Sequence, residues 1–246
     1  MRGYLLRYPE GGRIEEHAHE WDQVAVVAHT TVTIETEAGF FVQPPGRGFW
    51  LPAGVRHAIH ARRTFSLYCL YAETGTIAMG REPTVVALSD LARELISVIC
   101  DAPGESARNE KIDHAVALLT LVLADAHEEP FRLPRPSDAR ASPLASYFLD
   151  HPEDSRSLEA IVAEEGGASL RTLERIFLDE TRLTIAAWRR QSRLLMSLYL
   201  LDEGGPIATI ASKVGYDSPA AFSTAFKACF GAAPSAYLGG KRGDAA

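Results

Sequence analysis

The sequence has few cysteines and no long apolar run, and both absences narrow the class of protein. The three cysteines, Cys69, Cys100 and Cys229, lie far apart and form no CxxC pair, which excludes a zinc ribbon and fits a reduced cytoplasm. No apolar stretch approaches the ~20 residues that span a bilayer. Residues 1–12 lack the apolar core of a secretory signal. We therefore expect a cytoplasmic protein without a membrane partner.

The chain also lacks an excess of positive charge. Its formal net charge is −7 at pH 7, which argues mildly against nucleic acid as a partner. The charge is unevenly distributed, however, because residues 169–193 hold six arginines against three acids. These arginines are Arg171, Arg175, Arg182, Arg189, Arg190 and Arg193. A local positive field attracts phosphate even where the average charge does not.

Residues 13–72 have the pattern of short strands. Runs such as QVAVVAH, TVTIETE and FSLYCLYAE are rich in Val, Ile, Thr and aromatic residues, and turns containing Gly or Pro separate them. Several short strands at this spacing predict a small antiparallel barrel or sandwich.

Beyond these strands, apolar residues recur at helical spacing. SDLARELISVIC and NEKIDHAVALLTLVLADAHEE predict two helices over about 88–127. The apolar stripe of the second helix permits a dimer, but a helix packed on its own β domain would show the same stripe. The following EEPFRLPRPSDARASP holds four prolines and is interpreted as a linker.

Two helix pairs follow from residue 142, each around a turn that contains Gly. Helices over 158–165 and 170–177 flank GGAS, and helices over 207–214 and 219–230 flank GYDS. This arrangement predicts two helix-turn-helix units. The expected N-caps are Ser157, Ser169, Thr184 and Ser218. A connecting helix of about 27 Å, at 1.5 Å per residue, could hold the units in major grooves about 34–36 Å apart.

The last hundred residues resemble the AraC/XylS-type transcriptional regulators. The resemblance rests on the double helix-turn-helix, on the connecting segment AAWRRQSRLLMSLYLL and on the ending VGYDSPAAFSTAFKACFGAAPSAYL. It implies a sequence-specific regulator, activator or repressor, that binds double-stranded DNA as a homodimer and can contact RNA polymerase.

The second helix of each unit carries the residues expected to contact DNA. By the resemblance, the exposed Arg171, Glu174 and Arg175 face base edges, where Arg suits guanine and Glu accepts from cytosine N4. A solvated surface charge is the alternative for each. Many relatives carry Arg where Thr224 stands. The second helix-turn-helix is therefore expected to position the protein on DNA more than to read its bases. The expected DNA-binding residues are Ser169, Arg171, Thr172, Glu174, Arg175, Ser218, Ser223, Thr224 and Lys227.

The stretch HAHEWDQVAVV places two histidines one residue apart. His17 and His19 are expected on the same face of a strand, because the side-chain period of a strand is two. Their spacing resembles the first motif of the cupin barrel, with Gln23 where that motif has an acid. LPAGVRH fits the second cupin motif, P-x-G-x-x-H, and ends at His57. Residues 13–72 therefore resemble a small cupin domain, and a cupin sensor ahead of a double helix-turn-helix is a known arrangement of the AraC/XylS type.

The histidines are compatible with two kinds of site. Three imidazoles suit a divalent metal, Zn, Ni, Fe or Mn. Gln23 is a poorer ligand than a carboxylate, and it replaces the residue that cupin dioxygenases often use as base. The same side chains could instead line a metal-free pocket for a small-molecule effector. The candidate residues are His17, His19, Gln23 and His57, with Trp21 and Trp50 either at the pocket mouth or in the core.

The sequence thus predicts a two-domain protein, β then α. A small antiparallel β-barrel of cupin type (1–76) is followed by a helical dimerisation segment with a Pro-rich linker (77–140) and an all-α double helix-turn-helix domain (141–246). The expected function is a DNA-binding transcriptional regulator controlled by a small-molecule or metal effector, not an enzyme. Two alternatives stay open: a cupin metalloenzyme with an appended helical domain, and a cupin that only dimerises and binds no ligand.

Overall fold

The structure, a computed structural model, describes residues 1–102 and 110–239. The chain divides into two compact units, Met1–Arg132 and Leu133–Ala246. The first is built mainly of strands and the second of helices, which confirms the predicted order of β then α. In the described part of the chain, no helix has the length and apolar content that a membrane crossing needs.

The first unit contains two five-stranded antiparallel sheets. The strands are β1 (Arg2–Tyr8), β2 (Arg13–His17), β3 (Asp22–Val27), β4 (Val32–Thr36), β5 (Gly39–Gln43), β6 (Arg47–Leu51), β7 (His57–Ala61), β8 (Phe65–Ala72), β9 (Thr84–Ala87) and β10 (Arg132–Leu133). Their orders are β1-β8-β3-β6-β9 and β10-β5-β4-β7-β2. Phe41 of one sheet packs edge-on against Phe49 of the other, with ring centroids 5.1 Å apart. The sheets therefore face each other, and among the described strands they pair as two sheets and not as one closed barrel.

Two helices pack against the first sheet, α1 (Asp90–Cys100) and α2 (Glu110–Ala124). Val24 and Val26 of β3 share one buried cluster with Ile96 of α1 and with Leu119 and Leu123 of α2. Each such side chain contributes about 1.5–3 kcal/mol when fully buried. The apolar stripe predicted on α2 thus packs, at these leucines, on the chain's own sheet.

The second unit consists of seven described helices, α3 (Ser142–Asp150), α4 (Leu158–Glu165), α5 (Leu170–Thr181), α6 (Ile185–Asp202), α7 (Ile207–Lys213), α8 (Pro219–Phe230) and α9 (Pro234–Gly239). All four predicted N-caps are confirmed, because Ser157, Ser169, Thr184 and Ser218 each accept a hydrogen bond from the backbone N–H three residues on. Helix α5 runs past the predicted end at residue 177. The prediction stopped short because Leu178, Asp179 and Glu180 are exposed and do not continue the buried apolar stripe of the helix. It ends at Arg182, which has a left-handed φ of 61°.

The end of the proline-rich stretch is ordered against the second unit. It is not helical, as predicted, but Trp188 Nε1 donates to the carbonyl of Pro134 at 2.6 Å. The backbone N–H of Ser137 donates to Glu180 Oε2, also at 2.6 Å. Proline has no N–H to donate, yet its carbonyl remains an acceptor, and such contacts hold the segment in place.

Gly215, in the turn of the second helix pair, packs against a partly buried arginine. Arg193 of α6 donates from Nε to the carbonyl of Pro152 at 2.9 Å. A Cβ at Gly215 would lie 2.5 Å from Arg193 Nη2 and 2.6 Å from Pro152 O, and its φ is +73°. The turn therefore requires glycine for both its conformation and its space.

Gly215→Ala is expected to destabilise the second unit by about 2–5 kcal/mol, as the sum of a left-handed Cβ and an overpacked contact. Gly204→Ala is the matched control, because Gly204 has φ +80° with nothing within 4 Å of a Cβ; it should lose only about 1–2 kcal/mol. Urea unfolding followed by the helical circular dichroism signal measures both. Equal losses would contradict the packing described for Gly215.

Candidate functional site

Three histidines converge where strands β2 and β7 meet at one end. His17 and His57 are register partners across these strands, and their ring centroids are 4.2 Å apart. The ring of His19 lies 5.3 Å from that of His57. One ligand nitrogen from each of the three lies within 4.8 Å of the others. The cluster is therefore a group of side chains that could hold a metal ion.

The backbone orients all three rings in the same way. Each Nδ1 lies within hydrogen-bonding distance of a carbonyl oxygen: His17 with Glu15 O at 2.9 Å, His19 with Trp21 O at 2.7 Å, and His57 with Val55 O at 3.0 Å. An Nδ1–H that donates to a carbonyl leaves the lone pair on Nε2, which is the tautomer that a metal ligand needs. The cluster is thus oriented by the kind of outer contacts that metal-binding histidines use.

His19 reaches the cluster in a different way from the one predicted. Strand β2 ends at His17, with an irregular register between Ile14 and His17, so His19 lies in the following connection and strand alternation does not place it. The N–H of Gly54 donates to the carbonyl of His19 at 2.8 Å, and Gly54 has a φ of +80°. The two sequence motifs are thus joined through the backbone.

Gln23 and Tyr71 adjoin the histidines on the other sheet. Gln23 is 3% exposed, and its side-chain amide lies 2.8 Å from His19 Nε2. When Nδ1 of His19 carries the proton, Nε2 accepts in this contact and the amide NH2 of Gln23 donates. Tyr71 is the register partner of Gln23 across β3 and β8, and its ring meets that of His19 edge-on at 5.2 Å. No sequence motif points to Tyr71, because only the pairing of the distant strands β3 and β8 brings it here.

Burial shifts the pKa of three side chains at or beside the cluster. Burial is the main cause that lowers the pKa of His57 to about 4, and the neighbouring His17 and His19 contribute in the same direction. Burial raises the pKa of the Cys69 thiol to about 11 and also raises the pKa of Tyr71. Three imidazole donors in this arrangement fit a Zn, Ni, Fe or Mn ion by donor type.

Asp22, the residue before Gln23, serves the surrounding turns. It is 3% exposed, and its two carboxylate oxygens accept from the N–H of Ala53 at 2.9 Å and of Gly75 at 3.1 Å. Its hydrogen bonds are therefore with backbone amides and fix the turn that carries Gly54.

The two tryptophans named as weaker candidates differ in position. Trp21 is 45% exposed and follows the cluster in the chain. Trp50 is buried in the cluster of apolar residues beneath α1 and α2, and its Nε1 donates to Gly80 O at 2.7 Å. It therefore has the contacts of a core residue, and only Trp21 remains a candidate for the pocket mouth.

The predicted DNA-binding surface on α5 contains two exposed arginines. Arg171 and Arg175 lie one helical turn apart on the side opposite the buried Leu173 and Phe177. The side chain of Arg175 is 65% exposed and pairs with Asp179 at 3.2 Å, a surface contact worth about 0–1 kcal/mol. Both guanidinium groups can therefore reach an outside partner.

Other predicted residues of α5 make contacts within the protein. Ser169 is the N-cap, and its Oγ lies 3.0 Å from Thr172 Oγ1. Glu174 is half-buried, and its Oε2 accepts from the N–H of Ile185 at 3.3 Å. Ile185 is the first residue of α6, so Glu174 stabilises the start of that helix. The spacing i, i+3, i+4 could not separate this contact from an outward-facing one.

Helix α8 presents a weakly charged surface. Ser218 caps the helix by accepting from the N–H of Ala221 at 3.1 Å. Thr224 and Lys227 are exposed, whereas Ser223 is half-buried beside the buried Phe222. Ser223, Thr224 and Lys227 thus offer two hydroxyls and one cation. This composition agrees with the expectation that α8 contributes less than α5 to the recognition of DNA bases.

The arginine count in the sequence overstated the positive charge available to DNA. Arg189 and Arg193 of α6 are half-buried, and burial lowers the pKa of both. Their guanidinium groups donate to backbone carbonyls of residues 152–156. They hold the loop between α3 and α4 and thereby link parts of the second unit. The positive charges on α5 itself are Arg171 and Arg175, and Arg182 and Arg190 beyond its end are also exposed.

Comparison with known proteins identifies a helix-turn-helix domain in the second unit. A family model described as "Helix-turn-helix domain" matches residues 162–240. The HTH-type transcriptional regulator NimR of Escherichia coli K12 is 27% identical over 222 residues, which cover 90% of this chain and 81% of NimR. The regulatory protein SoxS of the same strain is 33% identical over 38% of this chain and 88% of SoxS. The arabinose operon regulatory protein of Salmonella typhimurium is 34% identical over 43% of this chain and 38% of its own length.

These relatives are regulators by name and none of the three is named as an enzyme. The comparisons therefore favour the predicted regulator over the cupin metalloenzyme that the sequence left open. SoxS is 33% identical to this chain and is covered over 88% of its length. The segment that the family model matches contains the second half of α4 and the whole of α5, α7 and α8. The chain belongs to the AraC/XylS-type family of transcriptional regulators.

Proposed function

We propose that this regulator recognises one specific DNA sequence through the exposed face of α5, with α8 as the weaker second contact. The observation that carries the proposal is the exposed pair Arg171 and Arg175 on the second helix of a helix-turn-helix unit. Arginine forms bidentate hydrogen bonds with guanine O6 and N7 in the major groove. The N-cap hydrogen bond of Ser169 fixes where this helix begins, so the two side chains are presented from a regular helix.

The first unit, in this proposal, is a cupin-type sensor whose two facing sheets enclose the histidine cluster at one end. His17, His19 and His57 would hold a Zn, Ni, Fe or Mn ion, and Gln23 stands beside them. Such an ion supplies a positively charged centre that can take a further ligand. A metal-free organic effector on the same side chains is the second form of this proposal, supported by the exposed Trp21 next to the cluster in the chain.

Occupation of the sensor is proposed to change DNA binding by a shift between two populations of the protein. A homodimer is also part of the proposal, because Leu118 and Leu121 of α2 are 42% and 68% exposed, and exposed leucines on one helix favour association. A regulator that binds chromosomal DNA acts in the cytoplasm, with DNA and a small effector as its partners.

Selection from a random pool of duplex DNA tests the function. The purified full chain is expected to enrich one sequence motif, and the amount of bound DNA should fall as the salt concentration is raised. Enrichment of no motif at any salt concentration would contradict the proposal of sequence-specific binding.

A further inference from the structure

We infer that the effector of the histidine site is an anion, a small molecule with a carboxylate group that binds as the counter-charge of the metal ion. This inference rests on the proposed metal site and names the chemical class of its ligand. Three observations support it. The chain offers uncharged ligands to the ion, its nearby carboxylates lie outside the ligand group, and solvent can reach the cluster.

The chain supplies only neutral donors to this ion. The ligand group within the described residues is His17, His19 and His57, and the adjoining polar group is the amide of Gln23. The phenol of Tyr71 stands against His19 and is also uncharged. A divalent ion bound here would keep its full charge in a site where His57 and Gln23 are almost completely buried.

The acidic side chains that flank the motif are engaged elsewhere. Glu15 pairs with Arg13 at 3.2 Å and Glu16 with Arg56 at 2.7 Å, and all four side chains are more than half exposed. Asp22 accepts from two backbone N–H groups instead. Glu20 is exposed. Among the described residues, none of these acids belongs to the ligand group.

A buried charge without a partner is unfavourable, because desolvation is repaid only by a nearby opposite charge. Here that charge has to come from outside the chain. His17 and His19 are only partly buried, so a molecule from solvent can reach the ion. A carboxylate oxygen is a normal zinc ligand, the Gln23 amide can hydrogen-bond to its second oxygen, and Trp21 offers apolar surface for an organic body.

Cobalt(II) provides the readout, because its visible spectrum reports changes in coordination independently of DNA binding. The full chain is loaded with Co²⁺ and titrated separately with benzoate, with azide and with benzamide, which has the body of benzoate but no charge. Benzoate and azide are expected to change the spectrum at concentrations at least tenfold lower than benzamide.

Gln23→Glu tests the charge argument directly, because it places a carboxylate where the chain has a neutral amide. This variant is expected to retain Co²⁺ at least as well as the wild type and to bind benzoate at least tenfold more weakly. Glu16→Gln is the matched control: it changes a carboxylate on the exposed surface nearby and should leave benzoate binding unchanged.

Three results would overturn the inference: benzamide binding as tightly as benzoate, a cobalt-loaded protein that responds to neither anion, or Gln23→Glu binding benzoate as tightly as the wild type. Each of these leaves the metal site and DNA recognition standing. Failure of the wild type to retain Co²⁺ would instead contradict both the proposed metal site and this inference. The proposal that α5 recognises DNA would still be tested by the DNA selection.

Discussion

Replacing Arg171 and Arg175 together by alanine is expected to weaken binding to the selected DNA site by about 2–6 kcal/mol. Each arginine that reads a guanine is worth about 1–3 kcal/mol of discrimination. Each single variant should relax the preference at one base position. The Arg175 variant should lose less binding free energy than the Arg171 variant. Arg175 pairs with Asp179 in the free protein and has to give up that ion pair when it contacts DNA. Fluorescence anisotropy with labelled duplexes at one fixed salt concentration measures the affinities.

The matched control removes the same charge from the first unit. Arg62 and Arg63 are exposed between β7 and β8, and their double alanine variant should change specific affinity little. If that control loses as much as the α5 variant, the effect is one of total charge. If the α5 variant weakens all sequences equally, its arginines contact phosphates and do not read bases.

His57→Ala is expected to reduce metal affinity at least about 100-fold. It removes a direct metal ligand, and even the loss of a group that only hydrogen-bonds to a ligand reduces affinity about 10–100-fold. His57 is also the most buried of the three, so water replaces it poorly. The DNA affinity of the metal-free protein should be unchanged. Metal content of untagged protein, measured by mass spectrometry after purification in trace Zn²⁺, gives the result.

His60→Ala is the control for this variant. His60 lies on the same strand but pairs with Glu35 at 3.2 Å and lies outside the cluster. Its alanine variant should retain metal like the wild type. Equal metal content in the two variants would contradict the assignment of His57 as a ligand.

Features that depend on neighbouring residues were predictable from the sequence. The N-caps at Ser157, Ser169, Thr184 and Ser218 follow from a short-range hydrogen bond that the residue types reveal. The two sequence motifs predicted that His17 and His57 lie in one site. They did not predict that His19 reaches this site from the connection after β2. Its place depends on an irregular end of β2, which leaves no periodic signal.

Features that depend on distant residues were not predictable. Strand β1 forms because it pairs with β8 along its whole length, and a Cβ at Gly3 would lie 2.9 Å from Ile99 O of α1. Tyr71 reaches the cluster through the same kind of pairing. In the second unit, Arg171 and Arg193 are the same residue type within 22 positions of each other. Only tertiary packing separates the exposed one from the one that holds a loop.

The most direct test is the affinity of the full chain for its selected DNA site with and without one equivalent of Zn²⁺. The wild type is expected to change its affinity at least about fivefold on adding the metal, which is the lower end of usual coupling between sites. His57→Ala should show no change. An unchanged affinity in the wild type, or the same change in His57→Ala, would contradict control of DNA binding by the metal form of the histidine site.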